Sequence, residues 1–311
     1  MSTPQQDFLK WRFGMFIHFG MATWHDVEWA HGYEDPRTFA PSRLDCGQWA
    51  RSAKAAGMQY AVLTTKHTGG WCLWPSKHTS SHATTAFSNY REGQGDIVRE
   101  FVAACREHAL KVGLYYCFPR NFGAPKDKTP LHGLPPEAGN QRAGFVKAQL
   151  TELLSNYGPI DQLWCDQYNY DLGDDWPEIL KLVRSLQPTC IVVANNSLDL
   201  SVTDVHSYEY PWLIDPKRAQ WLADNNRGVL PPEDNVTPSE VCDILESTWF
   251  WHSKAPRHLK SAAQTVDMLT LCNRRHANYL LNVAPDRSGL IPQATVERLT
   301  EIGDILRQYD A

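Results

Sequence analysis

Eight short apolar segments alternate with amphipathic helical patterns along almost the whole chain. The segments are rich in β-branched and aromatic residues and cover 13–18, 60–64, 111–116, 160–165, 190–194, 205–208, 243–248 and 277–283. Such segments are typical of parallel strands that are covered on both faces. The repeated order of strand and then helix predicts an α/β protein with a parallel sheet.

Helical patterns fill the intervals between these segments. Asp45 and Asp96 each precede an apolar helical face and are suited to cap it, and further patterns cover 145–157, 176–186, 259–272 and 293–308. Eight such units favour a closed (β/α)8 TIM-type barrel over an open doubly wound sheet. The open sheet would need a glycine-rich phosphate-binding first turn, and residues 14–20 do not form one. We therefore expect one catalytic barrel over residues 1–311.

The composition limits the classes of partner. The chain has 30 basic and 35 acidic residues, a formal net charge of −5, and no long run of either sign, which argues against nucleic acid or an anionic membrane surface as the main partner. No apolar stretch approaches the ~18 residues of a membrane span. The first residues do not resemble a signal peptide, so we expect a cytoplasmic location; a periplasmic or secreted one would apply if a signal peptide has been removed. The eight cysteines form no C-x-x-C pair and are expected to be reduced and buried.

The carboxyl ends of the predicted strands carry polar and aromatic side chains. Barrel enzymes hold their active sites at this end. The residues found there are His18, Lys66, His67, Tyr116, Asp166, Asn195, Asn196, Glu209, Glu246, Trp249 and Asn282. Long connections also follow three of the strands, as expected for loops that form the rim of a site.

Asp166 and Glu209 are the candidate catalytic pair. In retaining glycoside hydrolysis, one carboxylate attacks the anomeric carbon while a second carboxyl group protonates the leaving oxygen and later deprotonates water. A separation of ~5 Å indicates retention, and ~6.5–9.5 Å indicates inversion. Alternatively, either acid caps the next helix or pairs with Arg218 or Arg274. Glu246 is the reserve acid, with Trp249 three residues beyond it.

Several ordered motifs resemble one enzyme family. They are WRFGMFIHFG (11–20), GMQYAVLTTKH (57–67), WCLWPS (71–76), VGLYY (112–116), GPIDQLWCD (158–166) and YLLNVAPDRSGL (279–290). Together they resemble the catalytic domain of the α-L-fucosidases of glycoside hydrolase family 29. The resemblance implies a barrel that hydrolyses α-L-fucosides with retention and without metal or cofactor. It also implies Asp166 as nucleophile and, by a looser match, Glu209 as acid/base.

The same resemblance implies a set of sugar-binding residues. His18 is similar to a first-strand histidine that hydrogen-bonds sugar hydroxyls, and His67 to the first histidine of a Lys-His-His-Asp-Gly-Phe stretch. The remaining predicted pocket positions are Glu28, Trp29, Trp71, Tyr116, Trp164, Glu246 and Trp249. A buried structural role is the alternative for each histidine and tryptophan.

Three positions depart from the family pattern. Thr68 replaces the second histidine, Gly69 replaces the acid, and Ser197 stands where many members place an arginine. The usual C-terminal β-sandwich is also not expected here. Because charge-assisted hydrogen bonds are lost, the pocket could accept another 6-deoxy or L-configured sugar, such as an α-L-galactoside, or bind fucose weakly. We expect a fucosylated glycan or another small saccharide as the partner and leave homo-oligomer formation open.

Two other interpretations remain. A metal hydrolase is favoured only by the early histidines His18, His25, His31, His67, His78 and His82, which lack a metal-ligand motif. A catalytically weak carbohydrate-binding relative would keep both carboxylates but fewer sugar contacts.

Overall fold

The computed structural model describes residues 3–32, 34–79, 90–118, 141–168, 175–210, 227–254 and 258–309. Its strands are β1 (Phe13–Ile17), β2 (Tyr60–Lys66), β3 (Lys111–Cys117), β4 (Gln162–Asp166), β5 (Ile191–Ala194), β6 (His206–Glu209), β7 (Ser239–Ile244) and β8 (Ala277–Asn282). Its helices are α1 (Pro4–Leu9), α2 (Met21–His25), α3 (Cys46–Ala55), α4 (Ile97–Glu107), α5 (Gln141–Ser155), α6 (Trp176–Leu186), α7 (Ala262–Arg274) and α8 (Gln293–Tyr309). Short 3-10 turns cover Pro36–Thr38 and Tyr90–Gly93.

All eight strands are parallel and follow the order β5-β4-β3-β2-β1-β8-β7-β6. The two end strands, β5 and β6, approach each other through residues that precede β6. Asp204 N donates to Val192 O at 2.9 Å, and Ala194 N donates to the Thr203 hydroxyl at 3.0 Å. The chain therefore forms a nearly closed TIM-type barrel, as predicted.

Local sequence signals account for the helix ends. The Asp45 carboxylate accepts a hydrogen bond from Gln48 N, and the Asp96 carboxylate accepts one from Arg99 N, so both predicted N-caps are confirmed. At the floor of the barrel, α1 places the buried Phe8 ring edge-on against Tyr60, with ring centroids 6.3 Å apart. A Cβ on Gly14 would lie 2.4 Å from the Tyr60 ring, so only glycine at this position lets that ring cross β1.

The seventh strand differs from its prediction. The predicted segment 243–248 overlaps β7 only at the end of the strand, because β7 begins at Ser239 and ends at Ile244. The part of β7 that the prediction leaves out includes the charged Glu240, whose side chain is 1% exposed inside the barrel. Glu246 consequently lies beyond the strand rather than at its end.

All eight cysteines lie in the described residues and are buried free thiols, as predicted. Within those residues, no helix has the length and apolar character that crossing a membrane requires.

Candidate active site

One amide side chain connects the two candidate carboxylates. Asp166 ends β4, Glu209 ends β6, and Asn195 directly follows β5. Asn195 Nδ2 donates to Asp166 Oδ1 at 2.8 Å and to Glu209 Oε2 at 3.4 Å. Because both oxygens bind the same nitrogen, the distance between Asp166 Oδ1 and Glu209 Oε2 cannot exceed the sum of these two hydrogen-bond lengths. The structure brings the predicted acids to one place at the carboxyl ends of the strands.

Both oxygens of Asp166 are held in place. Oδ1 accepts from Asn195, and Oδ2 accepts from the Tyr115 hydroxyl at 2.7 Å. Two donors from two neighbouring strands fix the rotation of the carboxylate plane. Each oxygen accepts one hydrogen bond among the described residues, and an ionised carboxylate can accept about four in all.

The described contacts of Glu209 all fall on one oxygen. Oε2 accepts from Asn195, accepts from Asn196 Nδ2 at 3.2 Å, and lies 3.2 Å from Arg227 Nε. Asn196 has a left-handed backbone, with φ of +58°, which asparagine tolerates better than most residues. The predicted ion-pair alternatives were Arg218 and Arg274; the observed cation is Arg227, and Arg218 lies outside the described residues.

Stacked aromatic rings form a wall beside Asp166. The Tyr115 ring lies between His67 (centroids 5.5 Å apart, 17° between planes) and Trp164 (5.4 Å, 21°). His18 meets His67 edge-on at 5.7 Å and lies 5.1 Å from Trp249. The wall therefore contains four predicted pocket residues together with Tyr115.

A β-bulge in β2 directs His67 toward this wall. Thr64 pairs with Tyr115 and Lys66 pairs with Tyr116, so the register shifts by one residue between Thr64 and Lys66. Such a bulge re-aims the side chains that follow it. Lys66 consequently contacts Tyr116 on the other side of the strand, with Nζ 2.8 Å from the hydroxyl, and His67 faces Asp166.

A hydrogen-bonded chain fixes His18 and Trp249. Asn282 Nδ2 donates to Trp249 O at 2.7 Å, and its Oδ1 lies 2.7 Å from His18 Nδ1. The Nδ1 atom of His18 is thus assigned as the donor, which leaves Nε2 as an acceptor. From the other side, Trp249 N donates to Glu28 Oε2 at 3.0 Å, and Glu28 Oε1 lies 3.0 Å from His252 Nε2.

Burial sets the protonation of these groups. Burial lowers the pKa of His67 to about 4, although the charge of Asp166 acts in the opposite direction. Burial and the neighbouring His67 lower the pKa of His18 well below its ordinary value. Burial raises the pKa of Glu28 to about 7, against hydrogen bonds from the backbone N–H groups of Trp249 and Phe250. Both imidazoles are therefore neutral at pH 7 and can each donate one hydrogen bond and accept another.

The structure places three predicted residues outside this cluster and leaves a fourth, Trp29, exposed. Tyr116 points away from it, and its hydroxyl donates to Gln149 at 2.7 Å. Glu246 is buried and accepts from the Thr295 hydroxyl at 2.9 Å. Trp71 packs against Phe39 in the core outside the barrel, with ring centroids 5.1 Å apart. Trp29 is 54% exposed beside Glu28.

The departures from the family pattern have local explanations at two positions. Gly69 has a φ of +83°, and a Cβ there would lie 3.0 Å from both Ala30 Cβ and Gly32 N. The segment that follows Glu28 therefore leaves no room for a larger side chain. The Thr68 hydroxyl lies 3.2 Å from His67 Nδ1. For Ser197, the structure shows a buried turn residue whose carbonyl accepts from Ser207 N.

In the part of the chain that the structure describes, no three His, Cys, Asp or Glu side chains are grouped to hold a metal ion. His82, one of the early histidines, lies outside that part.

A parallel eight-stranded barrel with paired carboxylates at the carboxyl ends of its strands defines the TIM-barrel class. The family model described as Alpha-L-fucosidase matches residues 2–311. The chain therefore belongs to the alpha-L-fucosidase family.

Relatives agree with this assignment. Alpha-L-fucosidase 1 of Arabidopsis thaliana is 31% identical over 322 residues, covering 97% of this chain and 60% of that protein. Putative alpha-L-fucosidase 1 of Oryza sativa subsp. japonica is 31% identical over 338 residues, covering 98% and 59%. The chain thus spans about 60% of the length of these curated relatives.

Solved structures share the fold. A putative alpha-L-fucosidase from Bacteroides ovatus superposes with a TM-score of 0.77 at 31% identity, covering 99% of this chain and 55% of that one. Alpha-L-fucosidase isoenzyme 1 from Paenibacillus thiaminolyticus gives a TM-score of 0.76 at 29% identity, covering 98% and 76%.

Proposed function

We propose that this barrel is a retaining exo-glycosidase that hydrolyses α-L-fucosides, with Asp166 as the nucleophile and Glu209 as the general acid and base. The observation that carries this proposal is the double hydrogen bond of Asn195 to both carboxylates. Because both carboxylates accept from the same amide nitrogen, the two acids converge on one point, which supports the ~5 Å spacing of retaining enzymes over the wider ~6.5–9.5 Å spacing of inverting enzymes.

The first step forms a glycosyl-enzyme. A lone pair of the Asp166 carboxylate attacks the anomeric carbon while the bond from that carbon to the glycosidic oxygen breaks. The departing oxygen takes the proton of Glu209, so the aglycone leaves as an alcohol. The Oε1 atom of Glu209 is the suited proton carrier, since the described donors all engage Oε2.

The second step releases the sugar. Glu209, now ionised, takes a proton from water as the water oxygen attacks the anomeric carbon and the bond to Asp166 breaks. The products are free L-fucose with its α configuration retained and the original protonation states of both acids.

The neutral imidazoles support sugar recognition. His18 presents Nε2 as a neutral acceptor, because its Nδ1 donates to Asn282, and His67 has a second ring nitrogen beyond the one that contacts the Thr68 hydroxyl. Uncharged donors and acceptors suit sugar hydroxyl groups, which act as both. Trp249, which is partly exposed beside His18, offers flat apolar surface for the C–H face of a sugar ring.

The test is hydrolysis of aryl α-L-fucoside and aryl α-L-galactoside by the wild type, with NMR detection of the first anomer released. We expect release of α-L-fucose. Asp166→Ala is expected to abolish turnover. Glu209→Gln is expected to lose activity mainly on substrates with poor leaving groups. Glu246→Gln is the matched control, because this second glutamate contacts Thr295 away from the site.

Three results contradict the proposal. First release of the β anomer would indicate inversion, and preference for the galactoside would reassign the sugar. Inactivity of the wild type on the whole panel, with saccharide binding retained, would favour a carbohydrate-binding role.

A further inference from the structure

A buried carboxyl group lies inside the barrel below the active site. Glu240, the second residue of β7, is 1% exposed. Its Oε2 accepts from the Tyr60 hydroxyl at 2.7 Å, and its Oε1 accepts from Trp164 Nε1 at 2.9 Å. Gln162 Nε2 lies 3.1 Å from Oε1 and 3.0 Å from Oε2. Every described residue that contacts this carboxyl is neutral.

This arrangement is costly for folding. Burial raises the pKa of Glu240, and the three side-chain donors only partly counteract it. Barrel interiors are usually filled by bulky branched apolar residues, and a buried ionisable group without a cation destabilises the folded state. A leucine or methionine would fill this layer more stably. The presence of the carboxyl group therefore calls for another role.

The hydrogen bond to Trp164 suggests that role. Trp164 lies two residues before Asp166 on β4, so both side chains face the barrel interior. Its indole stacks on Tyr115, and the Tyr115 hydroxyl donates to Asp166 at 2.7 Å. If the indole turned over, Nε1 and the Glu240 carboxyl would both lose a buried hydrogen bond. The carboxyl group thus allows a single orientation of the ring that supports Tyr115.

We propose that Glu240 is a positioning residue for the nucleophile: its carboxyl group locks the Trp164 indole, which holds Tyr115 and thereby Asp166 in the attacking geometry. This inference rests on the proposed function, because it takes Asp166 as the nucleophile.

The test measures nucleophilic attack separately from acid catalysis. The probe is 2-deoxy-2-fluoro-α-L-fucosyl fluoride, whose fluoride departs with little protonation and whose glycosyl-enzyme is long-lived. Mass spectrometry gives the labelling rate and the labelled residue. Glu240→Met keeps the volume but removes the acceptor, and we expect it to label Asp166 roughly 10- to 100-fold more slowly.

A conservative variant should rescue the rate. Glu240→Gln retains an acceptor for the indole, and Gln162 can rotate to accept from the new amide, because its own Oε1 has no hydrogen-bond partner in the structure. We therefore expect Glu240→Gln to be labelled at a rate within a few-fold of the wild type. If Glu240 only stabilised the fold, Glu240→Gln and Glu240→Met would be labelled at the same rate once their thermal stabilities are matched.

Tyr60→Phe is the matched control. It removes another donor from the same carboxyl but leaves the indole bond, so we expect lower thermal stability and an unchanged labelling rate. A folded Glu240→Met that labels at the wild-type rate, or equal slowing in Tyr60→Phe, would overturn the inference. If Glu240→Met does not fold, Trp164→Phe replaces it: this variant lacks the indole N–H, and wild-type labelling by it would overturn the inference as well.

The wild type separates the two claims. Failure of the wild type to label Asp166 at all would reject the proposed function, whereas normal labelling of both wild type and Glu240→Met would reject only the role of Glu240.

Discussion

Tyr115 donates its phenolic hydrogen to Oδ2 of Asp166 across 2.7 Å. Hydrogen bonds to charged groups are typically worth ~1.5–3 kcal/mol. Because this bond holds the proposed nucleophile, Tyr115→Phe should lower kcat/KM for an aryl α-L-fucoside by roughly 10- to 100-fold.

The adjacent tyrosine is the control for this prediction. Tyr116→Phe removes a buried hydroxyl that contacts Lys66 and Gln149 but not Asp166. Urea denaturation should show a loss of stability while kcat/KM stays near the wild-type value. Equal losses of activity in the two variants would contradict the role given to Tyr115.

Asn195 and Asn196 should differ in their dependence on the leaving group. Of the two carboxylates, Asn195 donates to both, whereas the described contact of Asn196 is with Glu209. We expect Asn195→Ala to slow hydrolysis of activated and unactivated fucosides alike. Asn196→Gly preserves the left-handed backbone and should slow only substrates with poor leaving groups. A Brønsted plot over a series of aryl fucosides checks this, and parallel slopes for the two variants would refute it.

Glu28 should make stability depend on pH. Its folded-state pKa, about 7, exceeds the ordinary value of 4.5, so the folded chain binds this proton more tightly than the unfolded chain does. The stabilisation is complete below about pH 4.5 and disappears as the pH rises through 7. With a side chain 23% exposed and beside His252, we expect a difference of about 1–2 kcal/mol between pH 5 and 8.

Urea denaturation of Glu28→Gln against the wild type over this range measures the Glu28 contribution. In Glu28→Gln, the free energy of unfolding should lack the part of its pH dependence that Glu28 contributes. Glu233→Gln is the control: it alters a side chain that is 91% exposed and should keep the wild-type pH dependence. A wild-type slope retained in Glu28→Gln would show that another group is responsible.

Two glycines should respond to alanine with opposite signs. Gly69→Ala places a Cβ 3.0 Å from Ala30 Cβ in a left-handed backbone, so we expect a loss of about 1–2 kcal/mol. Gly144 lies in α5, where a Cβ would meet no other atom within 4 Å, and alanine there should add about 0.5–1 kcal/mol. Thermal unfolding of both variants provides the check, and stabilisation by Gly69→Ala would remove our explanation of that position.

The barrel could be predicted from the sequence because its signals are local. Strand segments alternate with helices, and the caps at Asp45 and Asp96 are simple side-chain patterns that the structure confirms. Asp166 and Glu209 could be chosen because each follows a short apolar strand at the end where barrel sites form.

The missed residues depend on features that a pattern does not encode. Tyr115 rather than Tyr116 contacts Asp166, because Tyr115 pairs with Trp164 on the inner face of the barrel whereas Tyr116 pairs with Cys165 on the outer face. The prediction also leaves out the start of β7, where the charged Glu240 lies inside the barrel. Arg227 belongs to no motif, and only the three-dimensional arrangement brings it to Glu209.

The break in the sheet between β5 and β6 falls between the strands that lead to Asn195 and to Glu209. Elsewhere around the barrel, a continuous ladder sets the distance between neighbouring strand ends. Here that spacing is governed by a few flanking hydrogen bonds and by the asparagine amides themselves. The position of the Glu209 carboxyl group relative to Asp166 can therefore be adjusted by changing two side chains, with no need to rebuild the scaffold.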